Sequence, residues 1–448
     1  MNQRTQSDQI LERNSQWIPG GVVSLNRKME PNICFTRGRG SRVWDADENE
    51  YIDYQAGFAA FFLGHNDPDV NTAVQRAMAD ERILMGAGPT PLEGELAELI
   101  CRCVPFVEKV QITCTGSEAS YHALRLARAA TGRDHVILIQ GGYNGYHNDV
   151  AANVISDLAD IGPRVNPGEY PFDGLSAGIP DAHKKLVHIV NYNDLDSVRF
   201  VAEKYPVACI ILEPILQNIG IVKPQPGYLE GLRKLADELG FVLIFDEVKT
   251  GFRHALGGYQ SICKVQPDLS LFGKAIANGA VLGAIGGKTK FMDYFTHPEK
   301  SKRVLISGTF NAHPLSIAAA IATLKKLSDP AQRVYEHTRE LGRLLEEGVC
   351  EILKRYNQPF HYAREGSASC LYFMDHAPRD FHDLAEHHDF ALDRKYRAQL
   401  IDEGVFHFPL PVKQGSISFA HTQRDIEETL EKTAKVFANL FSTGTKKR

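Results

Sequence analysis

Between about residues 90 and 290, apolar runs of four to eight residues alternate with segments of helical period. The runs are KVQITC (109–114), HVILIQ (135–140), KLVHIV (185–190), VACIIL (207–212), FVLIFD (241–246), DLSLF (268–272) and VLGAIG (281–286). Continuous apolar strands separated by helices, here 117–130, 195–204 and 228–239, mark a mainly parallel sheet covered on both faces. Residues 5–18 read as an amphipathic helix stopped by Pro19-Gly20-Gly21. Short β-like pieces follow, ICFTRG and SRVWDADENEYIDY, with a turn at Asp45-Ala46-Asp47. Beyond about 325, helical stretches at 331–355 and 423–441 enclose short strands such as SCLYF and SISFA. The pattern predicts a large α/β domain over 81–325. Segments 1–80 and 326–448 are expected to build a smaller α+β domain.

The chain has 448 residues, enough for two or three domains or one large domain with a satellite. Hydrophobic residues make up 43% and charged residues 23%, which excludes a disordered or collagen-like chain. A net charge of −5 argues against broad nucleic-acid or polybasic membrane binding, since both need surplus Lys and Arg. There is no signal-like apolar start and no run of ~18 uncharged apolar residues. The eight cysteines form no C-x-x-C pair and lie mostly in apolar runs. Free thiols in a reducing cytoplasm are therefore expected.

In a parallel α/β sheet, ligands bind beyond the carboxyl ends of the strands. The residues found there are Thr115-Gly116-Ser117, Gly142-Tyr143, Glu213, Asp246-Glu247, Lys274 and Gly286-Gly287. At Thr115-Gly116-Ser117 a strand ends, a glycine permits close backbone approach, a serine caps, and a helix begins. Free N–H groups and the helix dipole suit a phosphate there, although such caps serve many helices with no ligand. Asp246 closes five apolar residues and needs a partner, because an unpaired buried charge is expensive. Lys274 ends another core strand, where desolvation frees its amine as a nucleophile toward a carbonyl. A structural Asp–Lys ion pair is the plainer alternative.

Together these parts suit pyridoxal 5′-phosphate (PLP). That cofactor needs a lysine for its Schiff base, a carboxylate for its ring nitrogen and a helix N-terminus for its phosphate. Tyr143 is a candidate to stack on the ring. Rival motifs fail. Gly287-Lys288-Thr289 lacks the P-loop glycine, that position being Leu282. His382…Glu386-His387 is one residue too long for an H-x-x-E-H zinc helix, so no metal is expected.

At this point the sequence resembles the class III aminotransferases of PLP fold type I. It is most similar to the branch that holds glutamate-1-semialdehyde aminomutase and β-amino-acid aminotransferases. The similarity runs from about residue 16 to 440 through PGGV (19–22), RVWDADENEYIDY (42–54), TGSEAS (115–120), LIFDEVKTGFR (243–253), PDLSLFGKAIANG (267–279) and SGTFNAHPLSIAAA (307–320). The resemblance implies that Lys274 forms the Schiff base and shuttles the proton, while Asp246 keeps the ring nitrogen protonated. It implies that Gly116 and Ser117 take the phosphate and Tyr143 stacks on the ring. Asn218 lies where the family places a contact near the phenolic oxygen, with Glu213 close by. Thr309 is implied to reach the phosphate of a neighbouring subunit, hence a homodimer with shared active sites. Arg27 matches an arginine that grips a substrate carboxylate, though a surface loop arginine is an alternative.

The chain departs from the aminomutases at three places. Lys413 stands where they usually carry a glutamate, the family's Tyr-His-Gly is Tyr143-Asn144-Gly145, and the usual serine-proline before the arginine is Ser24-Leu25-Asn26. The expected activity is therefore transfer of an amino group from an amino acid (β- and ω-types included) or an amine to a keto acid or aldehyde, by ping-pong kinetics. The alternatives are an intramolecular aminomutase and a non-catalytic paralogue that keeps the pocket. The loops at 55–65, 82–90, 153–180 and 405–415 are expected to shape the substrate pocket.

Overall fold

The structure, a computed structural model, describes residues 4–85, 88–356 and 358–441. Residues 86 and 87 of the 82–90 loop lie outside the described residues. The chain divides into two compact units. One comprises Pro68–Arg333 and Ala377–His387. The other takes the chain up to Asp67, Val334–His376, and the chain from His388 onward.

In the smaller unit, β1 (Phe35–Arg39), β2 (Arg42–Asp45) and β3 (Glu50–Asp53) form an antiparallel run. Its turn is tied by Asp45, whose carboxylate accepts from the N–H groups of Asp47 and Asn49. The first helix spans Thr5–Ser15 and stops three residues short of the predicted end.

The larger unit is built on β4 (Lys109–Thr113), β5 (His135–Ile139), β6 (Val187–Val190), β7 (Val207–Leu212), β8 (Val242–Asp246), β9 (Leu269–Gly273) and β10 (Gly283–Gly287). Their spatial order is β4-β10-β9-β8-β7-β5-β6. Neighbours from β9 through β6 are parallel, and β10 runs against both β4 and β9. Every residue of β7, β8 and β9 is buried, as expected of strands covered on both faces. The chain is thus α/β, with a mainly parallel central sheet flanked by helices.

The covering helices carry the end signals their sequences promise. Gly116–Thr131 is capped by Thr115, whose side chain accepts from the Glu118 N–H at 3.2 Å, and closes on Gly132 at φ 66. The cap is therefore Thr115 rather than the predicted Ser117, because the helix begins one residue earlier. Leu195–Lys204 is capped by Asp194, and Tyr228–Leu239 ends at Gly240.

Returning to the smaller unit, β11 (His361–Glu365), β12 (Ala368–Tyr372) and β14 (Gly415–Ser416) form a three-stranded antiparallel sheet. Of the predicted strand SISFA (416–420), only Ser416 lies in a strand, β14, which begins one residue earlier. A further short strand, β13 (Val405–Phe406), pairs with β3 in parallel. Helices Val334–Leu353 and Gln423–Phe441 bury Leu341, Leu345, Ile426 and Phe437 in this unit's core. All eight cysteines are free, three buried and five half-buried. Among the described residues, no helix is long and apolar enough to cross a membrane.

Candidate active site

The carboxyl ends of β5, β7, β8 and β9, the loops that follow them and the start of the Gly116–Thr131 helix carry the predicted residues of the larger unit other than Thr309. Asp246 ends β8 and is 3% exposed. Its Oδ2 accepts from Asn144 Nδ2 at 2.9 Å and its Oδ1 from the Val248 N–H at 3.0 Å. Burial pushes its pKa up to about 6, helped by the Glu213 carboxylate and opposed by Asn144, Val248 and Lys274.

Lys274 follows β9, the neighbour of β8, in the left-handed region at φ 50. A non-glycine residue held there stores about 1–3 kcal/mol, and such strain clusters at functional sites. Burial pulls its pKa down, while Asp246 and Glu213 pull it up and Arg253 pushes it down. Among the described residues, its side chain makes no hydrogen bond or ion pair. The plainer alternative of a direct Asp246–Lys274 ion pair is thus not formed. The amine lies within the field of two carboxylates without contact to either.

Glu213 ties two loops together. Its Oε1 accepts from the Tyr143 N–H at 3.0 Å and from Asn218 Nδ2 at 2.8 Å, while Oε2 accepts from the Gln217 N–H at 2.9 Å. The half-buried Tyr143 phenol has its pKa raised by burial and by the Asp246 carboxylate. Lys249 adds a third loop, donating from Nζ to the Gln217 carbonyl at 3.1 Å.

At the helix start, a Cβ on Gly116 would meet Val248 Cγ2 at 2.7 Å. Gly116 is thus small to admit Val248, a packing reason that the sequence did not reveal. Gly145 sits at φ 127, and a Cβ there would meet Ser117 Oγ at 2.9 Å. Ser120 Oγ bonds the Ser117 carbonyl at 3.0 Å and His147 Nε2 at 3.1 Å. Burial brings the His147 pKa down to about 4, so this imidazole is neutral at pH 7. Sequence reasoning missed Asn144 and Lys249 as contributors. Tyr-Asn-Gly read only as a departure, and Lys249 was passed over within LIFDEVKTGFR.

Thr309 is exposed in the segment before helix Pro314–Ser328, beside Leu305 (69% exposed) and Phe310 (60% exposed). Arg27 belongs to the smaller unit, exposed in the turn Leu25–Arg27.

The donor set fits PLP: an unpartnered, desolvated lysine, a buried carboxylate with acceptor capacity to spare, and a helix start with its first N–H groups unused by the cap. Comparison with known proteins agrees. The fold is that of PLP-dependent fold type I enzymes. Residues 24–406 match the class III aminotransferase family, and the chain belongs to that family. Glutamate-1-semialdehyde 2,1-aminomutase 2 of Brevibacillus brevis is 36% identical over 98% of this chain and 99% of its own. Among solved structures, an omega-transaminase from Sphaerobacter thermophilus superposes with a TM-score of 0.89 at 30% identity, covering 97% of each chain. A β-phenylalanine aminotransferase from Variovorax paradoxus gives 0.81 at 28% identity, covering 97% of this chain and 94% of its own.

Proposed function

We propose that this chain moves an amino group between two separate small molecules, from an amino acid or amine to a keto acid or aldehyde. The carrying observation is the desolvated Lys274 amine beside, and not bonded to, Asp246. Bound PLP supplies an electrophilic carbonyl carbon and an electron-withdrawing ring. The N–H groups of Gly116 and Ser117 hold its phosphate at the positive helix end. Asp246 holds the proton of the ring nitrogen, Tyr143 covers the ring face, and Asn218 reaches the phenolic oxygen. Lys274 Nζ takes the proton from the carbon bearing the substrate's amine and returns a proton in the second half-reaction. Its depressed pKa leaves more of it neutral for this at pH 7.

Support for transfer between molecules comes from Lys413, where the aminomutases usually carry a glutamate, and from the likeness to an omega-transaminase. A second reading, intramolecular transfer within an amino aldehyde, is favoured by the aminomutase relatives at 36% identity. The two separate on one experiment. Transfer between molecules requires added acceptor and gives parallel lines in double-reciprocal plots. Turnover of an amino aldehyde with no acceptor would overturn it.

Arg27 is proposed to grip a substrate carboxylate. An amine panel that shows no preference for carboxylate-bearing donors removes that role. Exposed Leu305 and Phe310 beside Thr309 support a homodimer in which Thr309 meets the partner's phosphate. A monomer in sedimentation would refute it. Cytoplasmic location is proposed from the eight free cysteines.

A further inference from the structure

Asn144 donates to Asp246 from a position it cannot leave. It is 4% exposed, and both of its chain neighbours are anchored. On one side the Tyr143 N–H is bonded to Glu213 Oε1. On the other, Gly145 lies against Ser117 at a φ of 127 that few other residues adopt. Its amide can face the carboxylate only through Nδ2, since oxygen against oxygen would repel. Asp246 is thus gripped at both oxygens, by Asn144 at 2.9 Å and the Val248 N–H at 3.0 Å.

We propose that Asn144 is a positioning residue: a donor with no charge to gain or lose, which fixes the Asp246 carboxylate and keeps it ionised for the ring nitrogen of the cofactor. The inference rests on the reading that Asp246 receives that nitrogen. The charged and titratable groups facing Asp246 are Glu213, Lys274 and Tyr143. Glu213 disfavours the Asp246 charge and Lys274 favours it, the latter only while protonated. Asn144 favours the charge at every pH, because an amide does not titrate in this range. Of the interactions that favour the Asp246 charge, the Asn144 bond is the largest.

The test uses the full-length chain stripped of cofactor and pyridoxamine phosphate as probe, because that amine forms no Schiff base with Lys274. Affinity is measured by fluorescence between pH 5 and 9. In the parent it falls on the acid side as Asp246 takes up a proton. Asn144→Leu is expected to weaken binding about tenfold at pH 7 and to move that acid limb upward by about one pH unit. Asn144→Asp, which sets a second carboxylate against the first, should move it further. Melting of the stripped proteins checks folding. If Leu is not tolerated, Asn144→Ser is read in the same way. Asp246→Asn should weaken binding and abolish the acid limb.

If Asp246→Asn behaves so while the Asn144 variants match the parent in affinity and limb, the role of Asn144 is refuted. If Asp246→Asn itself binds like the parent, the underlying reading fails. A general packing defect would weaken binding at all pH values and leave the limb in place, which also overturns the proposal.

Discussion

Asp246 ends one buried strand and Glu247 follows it, and the two adjacent carboxylates bond to separate sets of partners. Burial raises the pKa of both. Glu247 accepts from Thr250 Oγ1 at 2.7 Å, the Tyr259 N–H at 2.7 Å, the Gln260 N–H at 2.9 Å and Gln260 Nε2 at 3.1 Å. A carboxylate offers about four acceptor sites, so Glu247 is saturated by the loop it organises. Asp246 has two of its sites filled. One carboxylate is spent on structure, and its neighbour retains capacity toward a ligand.

The largest expected effect falls on the ligand-facing side. Lys274→Ala should reduce amino transfer about 10³-fold or more while the chain stays folded, because the group that moves the proton is gone. Single-turnover assays with an amine donor check it, and wild-type turnover would end the proposed mechanism. Asp246→Asn should lower turnover about 10²-fold, as expected when one preorganised charge is removed. Activity within a few-fold of the parent would mean that the contrast between the two carboxylates is wrong.

The same side predicts a pH dependence of stability in the cofactor-free chain. Folded Asp246 has a pKa of about 6, above the ordinary aspartate value of about 3.9. Between those values the native state holds a proton that the unfolded chain has released. Stability from this group is therefore present at acid pH and lost as pH rises through about 6. Relative to acid pH the loss is about 2–3 kcal/mol by pH 8. Denaturation of the stripped parent and of Asp246→Asn isolates the effect, since Lys274 titrates in both. The parent should lose stability relative to the variant across that window. Parallel curves would break the comparison.

The scaffold of this contrast was legible in the sequence. VACIIL and the helices at 195–204, 228–239 and 423–441 are observed at the predicted residues, because caps and periodicity agreed there. Asp246 and Lys274 stood out as charges closing apolar runs. The rest depended on contacts distant in sequence. Asn144 meets Asp246 across 102 positions and Tyr143 meets Glu213 across 70, and no local pattern announces either. The close approach of Val248 to Gly116 spans 132 positions and was likewise invisible in the local sequence. The reversed β10 was hidden because an antiparallel strand buried on both faces has the same apolar run as a parallel one.

The smallest effect lies with the structural carboxylate. Glu247→Gln puts an amide NH₂ where an oxygen receives protons, so at least one donor among Thr250, Tyr259 and Gln260 loses its acceptor. Leaving one buried donor unmatched costs about 1–2 kcal/mol. The loop cannot retreat easily, because Gly258 is packed against this carboxylate at φ 70, with a Cβ position only 2.6 Å from Oε1. Urea denaturation should therefore show a lower midpoint at an unchanged slope. Amino transfer per folded molecule should stay within about twofold, since the Glu247 oxygens are taken up by Thr250, Tyr259 and Gln260, and the acid limb of pyridoxamine phosphate binding should not move, because that limb belongs to Asp246. A Glu247→Gln variant that shifted the limb would show that the two carboxylates titrate as one unit, and the division of labour between them would have to be given up.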